Sequence, residues 1–191
     1  PITEDDDEEF VELFNAGSQA VDLGGWRLRG GISFNFPSGT VLPAGGYIVV
    51  ARNAARVRSV HPHLNPTLIV GDYAGRLSDR RDVVQLQMPD DLVSTNQFGV
   101  VVTNKIHIVV DEVRYRDGGR WGRWADGGGS SLERTDVRLD GRFAGAWADS
   151  DETTKSDWMT VEHTGVLDLG AMASPSQLQI LLLGAGECLV D

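Results

Sequence analysis

The residues with the most evident potential for chemistry form a glycine-rich segment, RWGRWADGGGSSLERTD at 120–136. A phosphate-binding loop needs G-x-x-x-x-G-K-[ST] between a strand and a helix, and no lysine follows these glycines. A nucleophile elbow needs G-x-S-x-G, and the residues from Gly129 onward lack its second glycine. We therefore interpret the segment as a structural corner.

The four histidines do not indicate a metal site. His61 and His63 flank a proline and could turn two nitrogens to one side of an extended loop. Zinc needs further ligands, and none is identifiable nearby, so we expect both side chains to be exposed in a loop. His107 and His163 lie in alternating, strand-like patterns, and we expect them to face solvent.

Two groups of carboxylates invite comparison with calcium sites. The acidic run from Glu4 to Glu9 lacks the ordered spacing of an EF-hand loop. The second group, 149–152, has carboxylates at alternate positions, and those of Asp149 and Asp151 could converge on calcium. A solvated loop is the simpler interpretation of both groups. We expect no cofactor, and calcium near Asp149 and Asp151 stays an open alternative.

Flat aromatic rings beside polar residues suit the face of a sugar, and four tryptophans raise that alternative. They are Trp121, Trp124, Trp147 and Trp158. Tryptophans at strand ends more often belong to a core, so carbohydrate binding is the less favoured interpretation. Neither a Ser–His–Asp set nor a spaced carboxylate pair is identifiable, and we assign no catalytic residue, cofactor-binding residue or metal ligand.

The composition of the chain limits its partners. The formal net charge is −11 over 191 residues. Because an acidic surface repels a phosphate backbone, we expect no duplex nucleic acid as a partner. No apolar stretch reaches the ~18 residues of a membrane span, so we expect no membrane insertion. Cys188 is the only cysteine, which excludes an intrachain disulfide.

The elements that must position these residues are short strands separated by turns. Twenty-three glycines, and turn signals every ~8–12 residues, favour a sandwich or barrel of antiparallel strands. The predicted strands are 9–14, 20–23, 33–36, 47–51, 83–88 and 106–116. Period two in the last of these predicts Val109, Asp111, Val113 and Tyr115 on one face.

Three segments depart from the strand pattern. Residues 51–60, ARNAARVRSV, are the one stretch that predicts a short helix. Residues 61–71 contain two prolines and are predicted to run over the surface. Residues 90–104 separate two good strands, and they predict either an extra hairpin or a long loop.

Six motifs follow one another along the chain in a specific order. They are EFVELFN (9–15), AVDLGGWRL (20–28), FNFPSGTVLPAGGYIVVA (34–51), GRLSDRRDVVQL (75–86), VVDEVRY (109–115) and GGSSLER (128–134). Together they resemble the lamin-tail domain, an immunoglobulin-like β-sandwich also found in large bacterial surface and secreted proteins. The expected inward positions are Trp26, Phe34, Phe36, Leu42, Tyr47, Leu86, Val113 and Leu132. The expected turn glycines are Gly24, Gly25, Gly45 and Gly46. The resemblance also makes the glycine-rich segment the closing strand of the sandwich, in which Ser130, Ser131, Glu133 and Arg134 are expected to cap and pair locally.

The resemblance also implies a domain layout. Residues 1–136 correspond to the sandwich, apparently without its first strand, because the chain starts about where that strand would end. Residues 137–149 are then a linker. Residues 150–191 resemble the first strands of a galactose-binding-like jelly roll, on the motifs WMTVEHTGVLD (158–168) and LQILLLGAGECLVD (178–191). The resulting all-β chain ends in a truncated second β module.

A sandwich that lacks its first strand exposes a sheet edge, which invites pairing with another strand. We expect the apolar run from Leu178 to Val190 to occupy such an edge or to pair between chains, which makes a strand-mediated homo-oligomer an expectation. With an acidic start and no initiator Met, the chain is interpreted as a piece of a longer protein.

The family resemblance implies a non-catalytic interaction module of a larger bacterial protein, extracellular or associated with the cell envelope. Its expected partners are other domains of that protein, or a surface protein or glycan. One alternative is a carbohydrate-binding or calcium-assisted adhesion module. Another is an accessory domain of a secreted hydrolase or a kinase-like enzyme.

Overall fold

The computed structural model describes residues 5–125 and 130–151, together with the single residues Thr160, Glu162 and Thr164. Strands predominate in these residues. The first six are β1 (Phe10–Phe14), β2 (Val21–Asp22), β3 (Arg27–Gly30), β4 (Ile32–Asn35), β5 (Val41–Leu42) and β6 (Tyr47–Ala51). The others are β7 (Ile69–Val70), β8 (Ala74–Gly75), β9 (Arg81–Thr95), β10 (Val101–Arg116), β11 (Leu132–Arg134) and β12 (Trp147–Asp149). The helices are α1 (Ala54–Val60) and three 3-10 turns at Asp6–Glu8, Pro66–Leu68 and Ala144–Ala146.

Two sheets form the sandwich. The first has the order β1-β6-β7, in which β6 pairs antiparallel with β1 and parallel with β7. The second has the order β10-β9-β3-β4-β8, with antiparallel neighbours throughout. Two-stranded sheets β2–β5 and β11–β12 complete the described strands. The predicted fold class, an all-β immunoglobulin-like sandwich, is confirmed.

The core lies between these two sheets. Leu28 on β3, Ile32 on β4 and Val84 on β9 belong to one buried cluster with Ile48 and Val50 on β6. Burial alternates along β4 because successive side chains of a strand point to opposite faces. The alternation that identified these strands in the sequence is therefore also what builds the core.

The predicted inward positions are confirmed except at two residues. Those that lie in the core cluster or pack against it are Trp26, Phe34, Phe36, Leu42, Leu86 and Val113. The prediction is wrong for Tyr47, which is 48% exposed and lies 4.6 Å from the ring of Phe14. Tyr47 immediately precedes the buried Ile48, so its side chain points to the opposite face of β6. The prediction is also wrong for Leu132, which is half-buried in the separate β11–β12 sheet, opposite Asp149.

The short helix predicted within 51–60 is confirmed as α1. The Asn53 side chain caps it by accepting a hydrogen bond from the Arg56 amide at 3.0 Å. Ala54 and Val57 are buried beside Ile69 in a second apolar cluster. The excursion predicted at 61–71 is exposed up to Thr67, but it returns to the sheet at β7 because Ile69 completes this cluster.

The extra hairpin is the alternative that the structure selects for 90–104. β9 and β10 pair continuously from Arg81 to Thr95, and the hairpin tip is closed by the side chain of Asn96. Its Oδ1 accepts hydrogen bonds from the amides of Phe98 at 2.9 Å and Val100 at 3.1 Å. Because β3 pairs with β9 only as far as Gln87, the rest of the hairpin extends beyond the sheet. We call residues 88–110 the β-arm.

One facial assignment on β10 is wrong. The register shifts between Val109 and Asp111, which indicates a bulge there. Val109 therefore pairs with Gln87 and Asp111 pairs with Leu86. Residues directly opposite each other in an antiparallel pair share a face, so Val109 lies on the face opposite that of Asp111.

The predicted linker at 137–149 contains β12, whose Trp147 pairs with Arg134 of β11. The Trp147 indole donates a hydrogen bond to the Gly141 carbonyl at 2.8 Å, which ties the intervening loop together. The proposed jelly-roll segment and the run from Leu178 to Val190 lie outside the described residues, apart from the few named above. The division into domains stays a prediction.

Candidate functional site

The predicted metal-binding candidates are not brought together. His61 and His63 are exposed, as expected, with ring centroids 5.8 Å apart. Within the described residues, no group of three or more His, Cys, Asp or Glu side chains could hold a metal ion. His107 is half-buried, and its Nε2 lies 3.3 Å from the Gly25 carbonyl oxygen. His163 lies outside the described residues.

The acidic N-terminal run is bound to arginines. Arg52 lies 2.9 Å from a carboxylate oxygen of Asp6, and Arg56 lies 2.6 Å from one of Glu8. Glu9 is more deeply involved, because its Oε2 accepts hydrogen bonds from the Tyr73 hydroxyl at 2.8 Å and the Leu77 amide at 3.0 Å. This run therefore ties β1 to α1 and to the segment around β8.

Burial, followed by the hydrogen bond to the Glu9 carboxylate, raises the pKa of Tyr73. We expect Tyr73→Phe to lower the free energy of unfolding at pH 7 by about 1 kcal/mol, because the ring stays and the hydrogen bond is lost. A raised phenol pKa favours the neutral form in the folded state. This stabilisation is present below the ordinary pKa of ~10 and is lost as the pH rises above it.

Urea titrations of the wild type and Tyr73→Phe at pH 7 and pH 11 measure this effect. The stability difference between the two should shrink at pH 11, since only the wild type can ionise at this position. Tyr47→Phe is the matched control, because Tyr47 is 48% exposed. A difference that is the same at both pH values would contradict the prediction.

The carboxylates considered for calcium do not form a described cluster. Asp149 lies on β12, and its Oδ1 accepts a hydrogen bond from the Ala125 amide at 2.8 Å. This contact holds the loop after β10 against β12. Ser150 and Asp151 also have partners, and Glu152 lies outside the described residues. Calcium binding here stays an untested alternative.

The glycine-rich segment is described on either side of residues 126–129. Local pairing, as predicted, is present after the glycines: the Ser131 hydroxyl donates to a Glu133 carboxylate oxygen at 3.0 Å. Arg134, in contrast, bonds across the fold, with its Nη1 2.6 Å from a carboxylate oxygen of Asp111. The segment therefore fastens β11 to β10.

The tryptophans considered for sugar binding do not form one platform. Trp147 is half-buried and hydrogen-bonded to the Gly141 carbonyl, and Trp124 is 42% exposed. Trp121 is half-buried and lines an open cleft. Trp158 lies outside the described residues. Of the three that are described, Trp121 alone lines a candidate binding surface.

That cleft, which we call the arginine cleft, has a volume of about 720 Å³ and lies where β9 begins and β10 ends. Its cationic side chains are Arg81, Arg114, Arg116, Arg120 and Arg142. The segment RYRDGGRWGRW (114–124) interleaves arginines with aromatic residues, and this was the signal by which the sequence could have revealed the cleft. The cleft groups five arginines in a protein whose formal net charge is −11.

Two carboxylates partly neutralise the positive charge of the arginine cleft. Arg114 Nε lies 2.5 Å from a Glu112 carboxylate oxygen, and Arg142 Nη2 lies 2.6 Å from one of Asp140. Hydrogen bonds from Arg142 lower the pKa of Asp140 to about 2. Both carboxylates therefore stay ionised at neutral pH, and each offsets the charge of its arginine.

The β-arm is the second surface with functional potential. Its exposed apolar side chains include Val93, Phe98 and Val101, which are 62%, 80% and 66% exposed. A single exposed apolar residue is ordinary, but a run along one projecting hairpin marks an interaction surface. Sequence reasoning left an extra hairpin and a long loop open for this segment, and it did not predict that the hairpin projects beyond the sheet.

The architecture defines an immunoglobulin-like β-sandwich module. Comparison with family models matches residues 2–117 to the Lamin Tail Domain. The chain belongs to this family, as predicted, and the first five of the six motifs lie within the matched residues. A search of curated proteins finds no match. Among the residues described, no helix has the length and apolar character needed to cross a membrane.

Proposed function

We propose that the chain is a non-catalytic interaction module of a larger bacterial protein, extracellular or associated with the cell envelope, and that two copies bind each other through the β-arm. Membership of a non-enzymatic family supports the first part. The second part, dimerisation, is supported by a difference between the two edges of the β-arm: one carries residues that block the addition of a strand, and the other does not.

β10 is the end strand of the five-stranded sheet. Its C-terminal half is covered, because Arg134 bonds to Asp111 and Gly141 lies against the Glu112 carbonyl. No described strand pairs with the other side of residues 101–110. Unpaired backbone amides and carbonyls along such an edge are a template for a further strand.

The two edges of the β-arm differ in sequence. On the β9 side, Pro89, Asp90 and Asp91 follow one another, and proline and charges are the residues that block strand addition. On the β10 side, Lys105 is the only Lys, Arg, Asp or Glu within 101–110. The β10 edge is therefore the one that can accept a strand.

A second copy is the partner that this edge fits best. Antiparallel pairing of two β10 strands centred on Ile106 places Val102 of one copy opposite Val110 of the other. The same register sets each Lys105 opposite His107, so that the two lysines do not face each other. Apolar pairs across the strands then stabilise the contact while like charges stay apart.

Sedimentation velocity on the complete 191-residue chain tests this interface. We expect a dimer whose population rises with concentration. Val109→Lys combined with Val110→Lys should give a monomer, because in this register the new lysines lie opposite Thr103 and Val102 of the other copy and lysines on an edge strand oppose pairing. Both positions are exposed, at 49% and 44%, so the fold should be preserved.

The matched control combines Val41→Lys with Val137→Lys, at positions that are 51% and 48% exposed outside the β-arm. This variant adds the same charge and should remain dimeric. A wild type that stays monomeric at every concentration would refute the dimer, as would equal association of both double variants.

A further inference from the structure

The arginine cleft concentrates positive charge in a protein whose formal net charge is −11. Arg114 and Arg142 are paired with carboxylates. Arg81, Arg116 and Arg120 are exposed and form no ion pair with a carboxylate in the part of the chain that is described. Three guanidinium groups are therefore available to a ligand.

Two of these arginines face each other. Arg81 and Arg116 are directly opposed in the antiparallel pairing of β9 and β10. Like charges in such a cross-strand pair destabilise a sheet. An anion held between the two guanidinium groups would remove this repulsion, and their planar forks suit two-point hydrogen bonding to a carboxylate or sulfate.

One acidic side chain also lines the cleft. Asp82 Oδ1 accepts a hydrogen bond from its neighbouring Val83 amide at 2.7 Å, and Oδ2 lies 3.4 Å from the Ser78 amide. In the pairing of β9 with β10, Asp82 stands opposite Tyr115, whereas Arg81 stands opposite Arg116. The two arginines therefore share a face of the hairpin, and Asp82 lies on the other face.

The cleft also offers aromatic surface. Phe143 is 65% exposed, and Trp121 lies in the same lining. A phenyl ring this exposed contributes nothing to the core, whereas an apolar ring beside arginines can pack against the flat C–H face of a sugar. Aromatic and anion-binding groups thus meet in one open site.

We infer that the arginine cleft binds an acidic oligosaccharide, with its anionic groups on Arg81 and Arg116 and a sugar ring on Phe143. This inference rests on the proposed function only in that it gives the interaction module a ligand. A long nucleic acid is disfavoured because one charge per ~1.7 Å of duplex would meet the acidic remainder of the surface. The Asp and Glu side chains of an acidic peptide would satisfy the arginines, but these side chains supply no ring face for Phe143.

Titrations of the complete chain with oligosaccharides test the inference, with Trp fluorescence as the readout. The probes are an oligogalacturonate, a heparin-derived oligosaccharide, and a neutral maltooligosaccharide of equal length. The first two separate carboxylate from sulfate recognition. We expect at least one acidic probe to bind and the neutral one to bind at least tenfold more weakly.

Arg81→Gln with Arg116→Gln should weaken binding of the acidic probe at least tenfold, and Phe143→Ala should weaken it several-fold. The matched control, Arg56→Gln with Arg76→Gln, removes the same charge at sites outside both the cleft and the β-arm and should bind like the wild type. Thermal melts establish that each variant is folded. A folded cleft variant that binds as well as the control would overturn the assignment.

Two further probes decide the ligand class. Tighter binding of a short single-stranded DNA or of an oligoglutamate would replace the sugar by a nucleic acid or a peptide and overturn the inference. So would no binding of either acidic sugar. Arg116 in the cleft and Ile106 at the centre of the proposed pairing are ten residues apart on β10, on the order of 30 Å at ~3.3 Å per residue. Variants that lose sugar binding should therefore still form dimers. A failure of the sugar-binding inference can thus be distinguished from a failure of the dimer proposal.

Discussion

Replacing Gly30 by alanine should lower the free energy of unfolding by about 3 kcal/mol or more. Gly30 ends β3 with a φ of 121°, which L-residues rarely adopt. A Cβ added there would lie 1.8 Å from the carbonyl oxygen of Val83. This oxygen belongs to β9, so the clash can be relieved only by moving two paired strands apart.

Gly39→Ala is the matched control for this substitution. Gly39 also has a positive φ, 81°, but an added Cβ would meet nothing within 4 Å. Its cost should be the conformational penalty alone, about 1 kcal/mol. Urea midpoints followed by Trp fluorescence compare the two variants. Equal losses of stability in the two variants would show that β3 and β9 lie farther apart at Gly30 than they do in the structure.

Leu28→Ala should cost about 2–5 kcal/mol, which is the range for a leucine removed from a close-packed core. Leu28 is 1% exposed and belongs to the cluster between the two sheets. The loss combines the transfer of the side chain to water with the cavity that remains, since backbone pairing of β3 with both β4 and β9 prevents collapse.

Leu92→Ala is the control for Leu28→Ala, because Leu92 lies in the β-arm and is 50% exposed. Its stability should change by no more than about 0.5 kcal/mol. Chemical denaturation of both variants at low protein concentration, below dimer formation, measures the difference. A cost at Leu92 comparable to that at Leu28 would mean that the β-arm belongs to the cooperative core.

Much of the fold was predictable because its strands obey period two and its turns have characteristic residues. The alternation in β4 predicted the burial of Phe34, and Gly25 and Gly45 were predicted as turn glycines and have φ values of 80° and 63°. The predictions failed where the local pattern does not determine which face of a strand a side chain occupies. Tyr47 looks like a core aromatic, but its parity places it beside Phe14 outside the core.

The candidate sites were less predictable than the fold. A net charge summed over the chain conceals a local excess of arginine, so the value of −11 does not indicate the arginine cleft. Arg81 and Arg116 are far apart in sequence and meet only through the register of β9 and β10. Phe143 comes from a third segment, whose position depends on the contacts of Arg134 and Trp147.

The sequence by itself determined the family and the all-β sandwich, because alternation, turn residues and ordered motifs are local properties of the chain. Only the tertiary structure decided which strand edge is unprotected and which arginines face each other. Both depend on long-range pairing, in particular on where β3 stops following β9 and where a bulge shifts β10. A single-residue shift of register reverses the face of every side chain that follows, and no local pattern contains that information.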